Sequence, residues 1–432
     1  MKTPFRLFLW ILLLSRAGAV DLSLRPAVEL EFPAASSQFL QLEASSDLSQ
    51  WKPVGPWVVR QTNLVTQLLP SPDAAQFYRV ASGEVRNLDT ILEGIRNART
   101  LPALACAVIR SNRIVGFGVT GVRKWGLTQR VEATDRWHHG SLTKSMTATL
   151  AAILVEEGKI QWTTKLVDVF PEKAAAMNDG WKTTTLELLL ANRGGAPEDL
   201  GALWTQLWNH EGTPQEQRMF LLDQLIAKPP KRTPNTAYEY SNAGFSIAGS
   251  MLERVTGTPW EQLITEKLFA PLGMTSVGFG VPATPRHIDQ PWGHIGSGTT
   301  RTPMAPGKDA DNPPGIGPAG TVHCNLVDMA RYVAFHLAGA RGQAELISQA
   351  SFNKLHTAVP NNSDYSQGWY VSTRPWANGK TIAHSGSNLQ WFTNVWIAPG
   401  KDWACVVLTN FGGTGAFEAT DAVVGRMIQE FL

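Results

Sequence analysis

Cysteine is nearly missing from this sequence. Cys106, Cys324 and Cys405 are its only three in 432 residues, and so odd and sparse a set excludes a disulfide framework. Charge is scarce too: 17% of residues are charged, the net charge is +2, and no basic stripe or block of like charge occurs. Nucleic acid and acidic surfaces have little to hold, and no nucleic-acid partner is expected. The nine histidines, the pair His138-His139 included, lack the spacing of zinc ligands, so neither metal nor cofactor is expected. Long apolar runs are absent as well. Leu7 to Leu14 is unbroken but falls short of the roughly 20 residues that span a bilayer. Lys2 and Arg6 precede it and Ala17-Gly18-Ala19 follow, the pattern of a secretory leader cleaved after Ala19. No cysteine stands there to take a lipid. The mature chain is therefore expected to be exported, periplasmic or secreted, and without a membrane span.

What is present fits two or three globular domains. Residues 20–83 read as a small β-sandwich-like module. Val28, Leu30 and Phe32 alternate, as do Leu40 and Leu42, and turn-formers such as Ser45-Ser46-Asp47 separate the runs. Spacer or cell-wall binding are both open roles for it. A polar joint, Ser82-Gly83-Glu84, leads into residues 84–432. There Leu88, Ile91, Leu92 and Ile95 recur at helical spacing, followed by β-like runs at Leu104–Ile109 and Ile114–Val119. A helix is predicted from Ser141 to Glu157, then a helical middle to about Leu337. Strands return at Thr381–Ala383, Phe392–Ile397 and Trp403–Thr409 before a last helix, Ala419–Phe431. Strands at both ends with helices between imply one sheet built from distant segments plus a helical lobe, an α/β fold.

Three Ser-x-x-Lys pairs occur: Ser49/Lys52, Ser141/Lys144 and Ser351/Lys354. Only Ser141 follows a glycine and opens a strong amphipathic helix, carrying Met146, Leu150, Ile153 and Leu154. At a helix N-terminus the free N–H groups and the dipole favour negative charge on the serine oxygen. Lys144, at i+3, shares its face and can serve as base if its pKa is lowered. About 100 residues on stands Tyr240-Ser241-Asn242 at the start of another apolar helix. Tyrosine can relay protons, and asparagine can hold an amide or cap the helix. His384-Ser385-Gly386-Ser387 ends the strand Thr381–Ala383, where Gly386 would let a substrate backbone approach.

With these three motifs in order as SLTK, YSN and HSG, the chain resembles the serine β-lactamase and penicillin-binding superfamily. Its nearer likeness is to class C β-lactamases, D-Ala-D-Ala carboxypeptidases of that branch and related esterases. LFAPLGMTSVGFG, GPAGTVHCNLVDMARYV and QGWYV add to the likeness, which runs from about Asn87 to Leu432. The resemblance implies a β-lactamase-like fold, an antiparallel sheet flanked by helices plus a helical lobe. It implies acylation of Ser141, base work shared by Lys144 and Tyr240, and substrate orientation by Asn242. His384 takes the place of the family's lysine, and the N–H groups of Ser141 and Ser387 form an oxyanion hole. It also implies that the strands carrying Cys106 and Cys405 are neighbours, as free thiols or as a bridge. Two departures stand out. Histidine at 384 removes a permanent positive charge, so a carboxylate would be held through its protonation, near pH 6.5 if unperturbed. LLANRGG (Leu189 to Gly195) also differs from the usual L-L-x-H-x-S-G. Among aromatics that could shape the pocket or only pack, Trp391, just past the HSG turn, is the candidate substrate contact. The expected reaction is hydrolysis of an ester or amide in a small molecule or peptide, possibly a cell-wall peptide: a D-amino-acid peptide, a small ester or a β-lactam. The alternative is a non-catalytic penicillin-binding-like or cell-wall binding protein.

Overall fold

The computed structural model describes residues 27–33, 38–49, 52–53, 58–59, 64–70, 77–359 and 364–432; the expected leader, residues 1–19, lies outside them. The N-terminal segment holds two small sheets. Ala27–Pro33 pairs with Leu64–Pro70, and Gln38–Ser45 pairs with Lys52–Pro53, Val58–Val59 and Phe77–Glu84. Ser82-Gly83-Glu84 is thus not a joint but the end of a strand, paired opposite Gln38 to Leu40. Glu43 pairs within this segment with Arg79 at 2.7 Å and ties it to the central sheet through Arg113 at 3.3 Å.

The central sheet has seven strands: β1 (Arg86–Asn87), β2 (Ala103–Arg110), β3 (Arg113–Gly121), β4 (Tyr370–Arg374), β5 (Gly379–Ser387), β6 (Phe392–Ala398) and β7 (Trp403–Thr409). Their order is β4-β5-β6-β7-β2-β3-β1. All neighbours are antiparallel except the short β1, which runs parallel to β3. Position in the sheet explains the sequence patterns. β2 (ALACAVIR) and β7 (WACVVLT) lie inside it, covered on both faces, and are near-continuous apolar runs. β3 and β5, nearer the edges, alternate between buried and half-exposed residues.

Helices α1 (Asp89–Ala98) and α5 (Ala416–Phe431) cover one face. Leu92, Val423 and Met427 pack there on Leu104, Val108 and Val407. Burying each such side chain fully contributes roughly 1.5–3 kcal/mol. The opposite face carries Ala105, Ala107, Val406 and Leu408 in the larger core. That core includes α2 (Thr143–Glu156), α3 (Asn242–Thr256) and α4 (Leu326–Ala340). α2 is not amphipathic: every residue from Thr143 to Leu154 is buried, as befits a helix enclosed on all sides. Its polar side chains bond inward, Ser145 to the Leu142 carbonyl at 2.8 Å and Thr147 to the Pro318 carbonyl at 2.7 Å. Cys106 and Cys405 sit on adjacent strands as free thiols, with their sulfurs 3.7 Å apart. No helix among the described residues is long and apolar enough to cross a membrane.

Candidate active site

The helix carrying Ser141 begins as a 3₁₀ turn, Gly140–Leu142, that continues into α2. Two glycines press this turn against β5. Gly140 has φ +49, and a Cβ there would lie 2.4–2.5 Å from the Ser387 backbone. A Cβ on Gly386 would lie 1.9 Å from the His139 carbonyl oxygen. Gly386 is therefore needed for the protein's own backbone, not for the approach of substrate. Turn and strand thus interlock, bringing the backbones of Ser141 and Ser387 side by side. Beneath them the buried His139 ring is held by Thr393 on β6 at 3.1 Å and by Cys324 at 3.0 Å.

Lys144 lies one turn below Ser141 and is fully buried. Its Nζ has three polar neighbours: Ser141 Oγ at 3.0 Å, Asn242 Oδ1 at 2.7 Å and the Ala319 carbonyl oxygen at 2.9 Å. None is a carboxylate. Burial with no counter-charge holds the amine well below its ordinary pKa. A neutral amine has two hydrogens and one lone pair. The Ala319 carbonyl can only accept, and so can Asn242 through Oδ1, so they take the two hydrogens. The lone pair then faces the Ser141 hydroxyl, which is the arrangement of a general base and its nucleophile. The Ala319 carbonyl belongs to the GPAG segment Gly317–Gly320. A backbone acceptor leaves no mark in side-chain spacing, and nothing in the sequence singled out Ala319.

Tyr240 presents its ring 4.6 Å from Lys144 Nζ. Burial pushes the phenol up from its usual pKa, so it stays protonated at neutral pH. Ser241, not Asn242, caps α3, its Oγ accepting from the Gly244 N–H at 3.1 Å. That frees the Asn242 side chain for Lys144. The Ser241 N–H in turn donates to Asn192 Oδ1 at 3.0 Å, and the Glu239 N–H to the Asn192 carbonyl at 2.8 Å. Asn192 has φ +56, the left-handed conformation that asparagine tolerates. The departure at LLANRGG is thus the piece that fixes the Tyr240–Asn242 segment.

His384 is 2% exposed. Its Nδ1 lies 2.5 Å from the Ser385 carbonyl, and its Nε2 is buried without a partner. Burial, with Lys144 nearby as a second cause, pushes its pKa down to about 3. The expectation of a charge change near pH 6.5 is corrected: the ring is neutral across the physiological range. Ser387 Oγ donates to the Trp391 carbonyl at 2.8 Å and accepts from the Leu389 N–H at 2.9 Å, bracing the turn after β5. Trp391 itself is 0% exposed and stacks on His138 at 5.7 Å. It is a core side chain behind the turn, which corrects its assignment as a substrate contact. β4 pairs with β5 only as far as Ala383. Beyond it, no strand among the described residues covers that edge of Ser385–Ser387, so an extended backbone can lie along it.

The other Ser-x-x-Lys pairs are placed elsewhere. Ser49 is exposed in the N-terminal segment, where its N–H donates to Asp47 at 2.8 Å. Ser351 bonds Glu156, and Lys354 bonds Glu187 at 2.5 Å.

Residues 88–427 match the model of the Beta-lactamase family. The chain belongs to that family. Its members are usually serine hydrolases, among them β-lactamases, penicillin-binding proteins and carboxypeptidases. Penicillin-binding protein 4 of Amycolatopsis lactamdurans is 25% identical over 336 residues, covering 75% of this chain and 85% of that protein. Protein flp of Staphylococcus aureus (strain COL) is 22% identical, covering 77% of this chain and 64% of its own length. Among solved structures, the octameric penicillin-binding protein homologue from Pyrococcus abyssi superposes with a TM-score of 0.63 at 22% identity, covering 79% of this chain and 76% of that one. The D-alanine carboxypeptidase AmpC from Burkholderia cenocepacia gives 0.58 at 19% identity, covering 77% and 96%. The β-lactamase-like fold follows from these matches.

Proposed function

We propose that this chain is an exported serine hydrolase that cleaves a neutral ester or amide through an acyl-Ser141 intermediate. The observation that carries this reading is Lys144: buried, without a carboxylate, and satisfied as an amine by Asn242, Ala319 and Ser141. Lys144 takes the Ser141 proton as Oγ attacks the substrate carbonyl, and the N–H groups of Ser141 and Ser387 receive the oxyanion. The proton passes through Lys144 and Tyr240 to the leaving oxygen or nitrogen as its bond to the carbonyl carbon breaks. Water then hydrolyses the acyl-serine by the same base. The open edge of Ser385–Ser387 suits an extended substrate, as a D-amino-acid peptide would be. A neutral His384 offers no charge to a carboxylate, which favours a small ester or an uncharged amide over a β-lactam. Export is supported by the leader pattern of the first 19 residues.

A fluorophosphonate probe tests the reading directly. The native chain labels at Ser141, and Ser141→Ala does not. Turnover is then compared on a p-nitrophenyl ester, a D-Ala-D-Ala peptide and nitrocefin, and the ester is expected to be cleaved fastest. A native protein that takes no label would refute the acyl-enzyme.

A further inference from the structure

Four of the six tyrosines in the chain, Tyr238, Tyr240, Tyr365 and Tyr370, meet beside His384. Tyr238, two residues before Tyr240, reaches across to β4, where its hydroxyl lies 3.2 Å from that of Tyr370. The fully buried Tyr365 braces both, edge-on to Tyr238 at 5.5 Å and to Tyr370 at 4.8 Å. Tyr370 is 39% exposed, and its ring lies 5.6 Å from that of His384. The hydroxyl pair therefore joins the loop that carries Tyr240 to the strand that borders the HSG segment, while one of its partners still faces solvent.

This wall adjoins the groups that hold the proton. In acyl transfer the group that receives the Ser141 proton is the leaving alcohol or amine, so it must sit against Tyr240 and Lys144. Building on the acyl-enzyme reading above, we propose that Tyr238 and Tyr370 form a clasp that limits the size of the leaving group. Their shared hydrogen bond closes the cleft beside Tyr240 and His384. A small alcohol fits beneath it, and a bulky one must break it. A net bond of this kind is worth about fivefold in an equilibrium. A missing or extra apolar contact in a pocket changes discrimination about tenfold or more.

The test compares kcat/KM for acetate esters of two alcohols of like acidity, ethanol and 2-(2-naphthyl)ethanol. As a control, the acyl part is varied instead, ethyl acetate against ethyl 2-naphthylacetate. Tyr370→Ala is expected to raise the bulky-to-small leaving-group ratio about tenfold. Tyr238→Phe and Tyr370→Phe keep the ring packing, and each is expected to raise it about fivefold. The double Phe variant should do no more than either alone, because both remove one shared bond. The acyl ratio should move less than about twofold. Acyl and leaving-group ratios that shift together would overturn the clasp, as would a leaving-group ratio unmoved in variants that still label at Ser141. A native chain that never labels would instead refute the acyl-enzyme reading on which the clasp rests.

Discussion

The molecule contains the same short pattern at the start of two helices, and the two sit in opposite electrostatic surroundings. Ser351 and Lys354 each face a carboxylate: Ser351 bonds Glu156, and Lys354, 37% exposed, pairs with Glu187 at 2.5 Å. Ser141 and Lys144 face none. Lys144 is sealed among Tyr240, Phe245, Asn242 and the Ala319 carbonyl. The pattern supplies the serine and the reach of the lysine; the surroundings decide whether that lysine is an ion-pair partner or a base. A nearby carboxylate stabilises an ammonium, and its absence in a buried site favours the amine.

The contrast can be broken in order of severity. Ser141→Ala removes the nucleophile, and turnover should fall by about three orders of magnitude or more with loss of the covalent adduct. Ser351→Ala should leave labelling intact and cost about 1 kcal/mol of stability, the bond to Glu156 being lost. Next comes Asn242→Asp, which gives Lys144 the counter-charge that Lys354 already has. An adjacent carboxylate raises the lysine pKa, so the base is protonated at neutral pH. A fall in kcat/KM of about 100-fold is expected, with recovery as pH rises. Unchanged activity at pH 7 would show that Lys144 is not the base. The mildest change is His384→Lys, which restores a cation beside the site. Affinity for an anionic substrate should improve by up to roughly 1–2 kcal/mol near pH 7–8, while KM for a neutral ester holds steady. In the native chain, KM for both substrates should show no His384 inflection between about pH 5 and 8, since burial sets that pKa to about 3.

Much of this was legible in the residues. The apolar runs of β2 and β7, the helical period of α1 and the order SLTK, YSN, HSG located the sheet and the side chains that meet around Lys144. The parts that were not legible share a physical reason: they depend on backbone or on packing depth. One of the two acceptors of the Lys144 amine is a backbone carbonyl, at Ala319. The turn carrying Ser141 is registered by what a Cβ would strike at Gly140 and Gly386. Asn192 works through a left-handed backbone that no spacing reveals. Trp391 and His384 were placed correctly along the chain, but how deeply each is buried, and hence what each can do, depends on distant elements packing over them.

The central claim is that Lys144 is a neutral amine when Ser141 attacks. The direct measurement is the rate of fluorophosphonate labelling of Ser141 against pH, since the probe reads the nucleophile without reference to substrate. Protonating Lys144 removes the base, so the rate should climb as pH rises through the lysine pKa and then level off. The account predicts a midpoint well below the ordinary lysine value of 10.5, moved upward by Asn242→Asp. A midpoint at the ordinary value, or a rate flat with pH in both proteins, would contradict it.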